Sequence, residues 1–390
     1  LTASILPSPG EVEDRVLRFL NSVPLGASPS PVTGEFEALA LDVFRHQYAN
    51  NPAYRKWCGE TGVSPRSVLR TSEIPAVPVA AFRELEFCCG TPAAEFRTSG
   101  TSGAGAGRHL LPDLEPYRVS ALRNFGACVM PEGWKLRALA LVPPPRLRPS
   151  SSLSRMAAWV LEEYGVAGSA WFVSEHGLLR EKLAEALLDA RTLGTQVLLL
   201  GTTAAFLAFY DFCDAEGIRI ELPGGSRLMD TGGFKGTPVP APEEPVRQGA
   251  GALEEFQRKF RRKTHAILGV PPEMCINEYG MTELCSQFYD RSLLDHRARL
   301  APLEGPRPKF GPPWVQTWAV DPVTLDVLPS GKTGLLRHLD LANVGSVSAV
   351  TTEDFGCVTV DGLVLAGRPP SAEPRGCGLT FEEMSGGTGR

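Results

Sequence analysis

Residues 96–109 read Phe96-Arg97-Thr98-Ser99-Gly100-Thr101-Ser102-Gly103-Ala104-Gly105-Ala106-Gly107-Arg108-His109. Glycines let the backbone turn where other residues clash and let successive N–H groups point the same way. The Thr and Ser hydroxyls add donors, and the guanidinium of Arg108 matches phosphate oxygens in forked geometry. This is the chemistry of a loop that holds a nucleotide's phosphates. The competing reading is a flexible polar linker, which Ser/Gly-rich runs usually are. Two familiar phosphate loops do not fit. A Walker loop closes on Gly-Lys-Ser/Thr, and the dinucleotide fingerprint needs G-x-G-x-x-G, whereas the glycines here stand at Gly103, Gly105 and Gly107. The remaining motifs must decide.

The bounds around this stretch are those of an ordinary globular protein. The chain has 390 residues, 43% hydrophobic and 21% charged, with a net charge of −5. That balance gives no basic face for nucleic acid. No apolar run is long enough to span a bilayer, and the first ten residues lack the basic and apolar regions of a signal peptide. Nine cysteines, with Cys88 and Cys89 adjacent, fit neither a disulfide framework nor a zinc site, so a reducing cytoplasm is the expected home.

On the N-terminal side of the loop, residues 11–21 and 34–49 carry apolar residues at helical spacing. The aromatic-rich run from Gln47 to Trp57 reads as a turn with core-packing aromatics. The proline-spaced run Ile74-Pro75-Ala76-Val77-Pro78-Val79 holds an extended approach to a short helix. Beyond the loop, residues 114–125 fit a helix and 137–143 a buried strand. Ser150 to Ser154 lead a helix ending near Tyr164, as caps or as pocket lining, capping being the commoner role. A helix over 179–192, a strand over 196–200, a polar loop over 201–203 and a helix over 204–216 follow. Strand, polar loop and helix in repetition indicate an α/β fold with a partly parallel sheet, whose ligands sit at the carboxyl ends of strands. Apolar residues 198–209 are expected in the core rather than along an acyl channel. Residues 226–236, Ser-Arg-Leu-Met-Asp-Thr-Gly-Gly-Phe-Lys-Gly, bring a short strand into the turn at Gly232 and Gly233. A proline-rich surface insert over 237–245 precedes an amphipathic helix over 249–267, whose basic run from Lys259 to Lys263 reads as a solvated end.

Ile276-Asn277-Glu278-Tyr279-Gly280-Met281-Thr282-Glu283-Leu284 is a second strand-to-loop site. Tyr279 suits stacking on a base, Thr282 a hydrogen bond to phosphate, and Glu283 an Mg²⁺ ion beside phosphate oxygens. Residues 279–283, coming after the repeated Thr-Ser-Gly of the loop, resemble the paired signature of the adenylate-forming superfamily, which activates carboxylates with ATP. Farther on, Asp354 precedes a hairpin over 357–365 with its turn at Asp361-Gly362. By resemblance, Asp354 holds the ribose hydroxyls and Arg368 also contacts the nucleotide.

Within that superfamily the chain resembles the acyl-protein synthetase branch, the LuxE-like proteins, from about Phe44 to Leu379. The resemblance rests on residues 74–79 with Phe82, on 97–103, 230–236 and 278–283, and on Gly367 through Arg375-Gly376-Cys377-Gly378-Leu379. It implies an adenylate-forming α/β core of layered helices and mixed sheets, without the usual complete C-terminal lid domain. The expected organisation is a helical leader over 1–95, the core over 96–366, and a hinge and short tail over 367–390. ATP would lie with its phosphates on Thr98, Ser99, Gly100, Thr101, Ser102 and Gly103, with Gly232, Gly233, Glu278, Tyr279, Gly280 and Met281 around the nucleotide. Glu283 would hold Mg²⁺, and Arg108 would offset charge as a carboxylic, expectedly fatty, acid attacks. Cys377 is the candidate acyl acceptor, set between mobile glycines with Arg375 favouring the thiolate. Lys235 is the candidate stand-in for the lysine of a lid domain. An acyl-accepting protein partner is expected; a carboxylate–CoA ligase and a non-catalytic binding subunit are the alternatives.

Overall fold

The computed structural model describes residues 9–25, 33–98, 105–232, 247–300 and 306–368. The chain divides into two compact units, and the sequence-based boundary at residue 95 falls inside the first of them. One comprises residues 1–124, 281–287 and 310–373, and the other residues 125–280, 288–309 and 374–390.

The second unit holds a mostly parallel sheet. Its strands Arg137–Leu141, Val197–Thr202, Arg227–Thr231 and Cys275–Tyr279 pair in parallel, with Ala170–Trp171 on one side. Strand Phe288–Asp290 adds antiparallel to Cys275–Tyr279. Every residue of Val197–Thr202 and Arg227–Thr231 is buried, as expected of strands covered on both faces. Leu139, Leu199 and Leu228 lie on one face in register, packed with Leu183 and Leu187 of helix Arg180–Leu193 and Phe206 and Tyr210 of helix Thr203–Ala215. Residues 198–209 are therefore core, as expected. Polar residues 201–203 form no loop. Thr202 ends the strand and caps the helix, accepting from Ala205 N at 3.1 Å, so the change of element is abrupt. Ser151 likewise caps helix Ser152–Tyr164, which gives that serine its capping role. The basic run 259–263 is not wholly solvated: Arg261 is buried and pairs with Glu254, while Lys263 reaches Asp211 at 2.6 Å.

The first unit holds an antiparallel sheet of Val315–Val320, Thr333–Asp340, Ala349–Thr359 and Gly362–Gly367, with Val77–Pro78 parallel on Ala349–Thr359. The 357–365 hairpin is present, and Gly362 takes the left-handed φ of 112° that its turn requires. Helices Pro9–Ser22 and Gly34–Asn50 appear where the apolar spacing places them. The aromatic run that reads as a turn is a further helix, Pro52–Glu60. Asn51 caps it by accepting from Tyr54 N at 3.1 Å, and Pro52 occupies the first turn, where no N–H is needed. The side chain of Gln47 is fully buried and makes four hydrogen bonds. Its amide nitrogen donates to Asn343 O and Val344 O, and its oxygen accepts from the backbone N–H and hydroxyl of Ser348.

Candidate active site

In the first unit, the glycine-rich stretch connects two antiparallel strands, Ala94–Arg97 and Arg108–Leu111, rather than a strand and a helix. Thr98 N donates to Gly107 O at 2.9 Å, and Gly107 N donates to Thr98 Oγ1 at 2.8 Å. This double contact closes the base of the loop. Ser99, Gly100, Thr101, Ser102 and Gly103 lie outside the described residues, as do Gly233, Lys235 and Cys377. Arg108 forms an ion pair with Glu86. One residue on, His109 is buried on the strand that leaves the loop. Its Nδ1 stands 2.7 Å from Thr282 O, 173 positions away in sequence. Its Nε2 stands 2.8 Å from Asn343 Oδ1. Both ring nitrogens thus face oxygen acceptors, which pulls the imidazole's pKa up. Burial outweighs that pull and leaves the pKa below the ordinary value.

Thr282 and Glu283 are buried in the segment 281–287. Leu284 N donates to Met281 O, Cys285 N to Asp340 Oδ2 at 2.9 Å, and Ser286 Oγ to Asp340 Oδ1 at 2.7 Å. Burial pushes the Asp340 carboxyl up to about 6 despite these donors. Asp354 N donates to Thr352 Oγ1 at 3.0 Å, and its carboxylate pairs with Nε and Nη2 of Arg368. The structure therefore brings the two residues assigned to the nucleotide at this end of the chain into one ion pair. His338, fully buried, is held down to about 4 by burial, against the pull of the Asp354 carboxylate.

In the second unit, Gly232, Glu278 and Tyr279 stand at the carboxyl ends of adjacent parallel strands. Thr202 pairs with Thr231 and Thr231 with Glu278, while Gly201, Asp230 and Asn277 form the row beneath. Gly232 has φ 79°, a left-handed turn that glycine accepts without strain. Beneath that end lies a buried polar network. Thr203 Oγ1 donates to Asp230 Oδ2 at 2.7 Å, and Asn277 Nδ2 donates to the same oxygen at 2.9 Å. Thr231 Oγ1 donates to Glu278. Lys309 Nζ donates to Asn277 O at 2.9 Å and approaches Asp290 Oδ2 at 3.5 Å, while Asn277 N donates to Asp290 Oδ2 at 2.9 Å. Burial drives the Glu278 carboxyl up to about 7 and Asp230 up to about 6. Burial also acts on Asp290, but Lys309 and Arg307 overcome it and hold that carboxyl at about 2. Lys309 lowers all three carboxyls, and Arg307 acts on Asp290 in addition.

A pH prediction follows from Glu278. Its folded pKa is raised, so its stabilisation is complete below the ordinary carboxyl range and is lost as pH rises through about 7. Wild-type urea midpoints should therefore fall from pH 5 to pH 8, and those of Glu278→Gln, which cannot ionise, should fall less. Equal slopes for the two proteins would show that Glu278 titrates normally.

Sequence reasoning gave no role to His109, Asn343, Asp340, Lys309 or Asp290. Asp340 and Asn343 frame a short turn, Asp-Leu-Ala-Asn, which by itself resembles any Asx turn. Among the described residues no group of three or more His, Cys, Asp or Glu side chains is placed to hold a metal ion, and no helix is long and apolar enough to cross a membrane.

The fold is similar to that of solved acid–CoA ligases. It is similar to a 2-hydroxyisobutyryl-CoA ligase in an open conformation, with TM-score 0.53, 15% identity, 90% of this chain and 79% of that one covered. The same ligase in its thioesterification state gives TM-score 0.57 at 15% identity, covering 89% of this chain and 71% of that one. Residues 4–247 match the family described as acyl-protein synthetase, LuxE, and the chain belongs to that family. It is therefore an AMP-forming acid ligase that activates an acyl group with ATP and transfers it. A curated relative, the long-chain-fatty-acid–luciferin-component ligase of Vibrio harveyi, is 23% identical over 326 residues, 82% of this chain and 78% of that protein.

Proposed function

We propose that this enzyme activates a long-chain fatty acid as its acyl-adenylate and passes the acyl group to the thiol of Cys377, from which a partner protein receives it. The observation that carries the reading is the bond from His109, next to the phosphate loop, to Thr282 in the second nucleotide motif. Family membership and the relative's fatty-acid substrate support it.

Loop residues 98–103 take the phosphates, Tyr279 stacks on adenine among Gly232, Gly233, Glu278, Gly280 and Met281, and Asp354 with Arg368 takes the ribose. Glu283, buried in the 281–287 segment, offers one carboxylate, which suits Mg²⁺ carried in with a nucleotide, since that ion is commonly held by one or two carboxylates together with substrate phosphates and water. When bound, that ion would offset phosphate charge; Arg108 and Lys235 are the cations this chain adds. A carboxylate oxygen of the acid attacks the α-phosphorus, and the bond to the departing pyrophosphate breaks. The Cys377 thiolate, its proton lost to solvent, attacks the acyl carbon; the carbon–oxygen bond to AMP breaks and a thioester remains. Water must be kept from the adenylate until that step.

Intact-protein mass spectrometry after incubation with Mg-ATP and a panel of carboxylic acids tests the proposal. Wild type should gain a hydroxylamine-labile acyl mass, greatest with long-chain acids, and Cys377→Ala should gain none. Pyrophosphate release without an adduct on either protein would sink the cysteine relay and assign the chain to CoA or carrier-protein ligation.

A further inference from the structure

In the 281–287 segment, two side chains from distant parts of the sequence grip the backbone on both sides of a single residue. His109 Nδ1 bonds to Thr282 O at 2.7 Å, and Asn343 Nδ2 bonds to Glu283 O at 2.9 Å. The Thr282 carbonyl fixes the peptide plane before the Glu283 α-carbon, and the Glu283 carbonyl fixes the plane after it. Peptide groups are planar, so fixing both leaves the Cα–Cβ bond of Glu283 a single direction. The two grips are themselves joined, because His109 Nε2 meets Asn343 Oδ1 at 2.8 Å. Asn343 Nδ2 has a further acceptor in Val347 O at 2.7 Å, so the amide orientation is determined by its partners. His109, Thr282, Glu283 and Asn343 are all buried. Ring packing adds a third support, with Phe82 edge-on to the His109 ring at 6.0 Å between centroids. Asp340 continues the arrangement by holding Cys285 N and the Ser286 hydroxyl.

We infer that Asn343 and His109 are positioning residues that aim the Glu283 carboxylate at the metal ion carried by the nucleotide. The inference rests on the reading of Glu283 as the residue that holds that ion. The pair fixes the direction in which the Glu283 side chain leaves the backbone, and so narrows where its carboxylate can reach, which is how binding geometry is kept tight at a reacting site.

The test compares affinity for α,β-methylene-ATP with and without Mn²⁺, by calorimetry, in wild type, Asn343→Asp, Glu283→Gln and the double variant. Asn343→Asp keeps the acceptor for His109 and replaces the donor to Glu283 O. It should weaken the metal-bound nucleotide about tenfold and the metal-free nucleotide less than twofold, on the scale of one charge-assisted contact. In the Glu283→Gln background the same change should have no further effect, because the residue being aimed no longer carries its charge. His109→Gln, which removes the grip on Thr282 O alone, should show the same metal-selective loss in smaller degree. It also serves should Asn343→Asp fail to fold. Equal losses for the two nucleotide forms, or losses that add across the double variant, would overturn the positioning role while leaving Glu283 as metal holder. If Glu283→Gln itself leaves the preference for metal unchanged, both the positioning and the underlying reading of Glu283 fall.

Discussion

Asp354→Ala should raise the KM for ATP in pyrophosphate exchange by about 10- to 100-fold, with the KM for the acid nearly unchanged. The carboxylate sits in a half-buried pair with Arg368, and its backbone N–H is tied to Thr352, so its direction is set before any ligand arrives. A hydrogen bond from a ribose hydroxyl to an oriented carboxylate falls in the range of about 1.5–3 kcal/mol, which is the stated change in affinity. Truncation also leaves the Arg368 guanidinium without its carboxylate, so the charge balance near the nucleotide shifts as well. Arg368→Lys keeps the charge and loses the fork, and its effect should be the smaller of the two. Initial-rate measurements across ATP concentration decide the matter; an unchanged KM for ATP in Asp354→Ala would remove Asp354 from the nucleotide site.

Lys309→Met should have the largest effect on stability. The ammonium is buried with Asp290, and removing one partner of such a pair costs about 3–5 kcal/mol because the other charge is left uncompensated. Burial lowers the Lys309 pKa, while Lys309 and Arg307 together keep Asp290 far below the ordinary range. These directions agree once the geometry is considered. Asp290 also accepts from Asn277 N and Ser292 Oγ, whereas the cation lies 3.5 Å from it and bears its own desolvation. The sign with pH follows. Asp290 has a depressed folded pKa, so its contribution is present above the ordinary carboxyl range and is lost as pH falls through about 2. The gap in urea midpoint between wild type and Lys309→Met should therefore be widest near pH 7 and narrow toward pH 3. Adding Asp290→Asn should recover much of the loss. A midpoint unmoved at pH 7 would show that the pair does not hold these strand ends.

What the sequence discloses and what it conceals divide along physical lines. The strands 137–141 and 197–202 are legible because a strand covered on both faces must be apolar at nearly every position, whereas 227–231, with Arg227, Asp230 and Thr231 buried in it, is marked chiefly by the Gly-Gly that follows it. Glu278 and Tyr279 stand at the carboxyl end of a parallel strand, where the strand-to-loop reading puts them, whereas Thr98, Asp354 and Arg368 are marked out by their resemblance to the superfamily's motifs, and Asp354 lies within an antiparallel strand. Helix Pro52–Glu60 is not legible from its aromatics, since Tyr54 is buried and Trp57 is only half-buried, so no clean apolar stripe appears. Its signal is the cap, Asn51 followed by Pro52. Strand Thr333–Asp340 alternates between buried and partly exposed residues over its first half, and Val315–Val320 is partly exposed until its last two residues, both weaker marks than a continuous apolar run. His109, Asn343 and Lys309 stay hidden for another reason. Their partners lie far off in sequence, and a lone histidine or asparagine carries no trace of which carbonyl it will bond.

The four bonds of Gln47 carry a consequence for synthesis. They join a residue of the second helix to carbonyl, amide and hydroxyl groups 296 to 301 positions later. Strand Val77–Pro78 is in the same position, since its partner begins at Val350. At about 5–20 residues per second, a nascent chain would wait roughly 15–60 s between making Gln47 and making its partners. Over that interval the apolar sides of helices Pro9–Ser22 and Gly34–Asn50 have emerged without the turn that buries Gln47. The parallel strands from Arg137 to Tyr279, each joined to the next by local helices, are complete well before then. The burial of Gln47 and the pairing of Val77–Pro78 can therefore be completed only once the chain has been made past residue 350, whereas the parallel strands can pair before then.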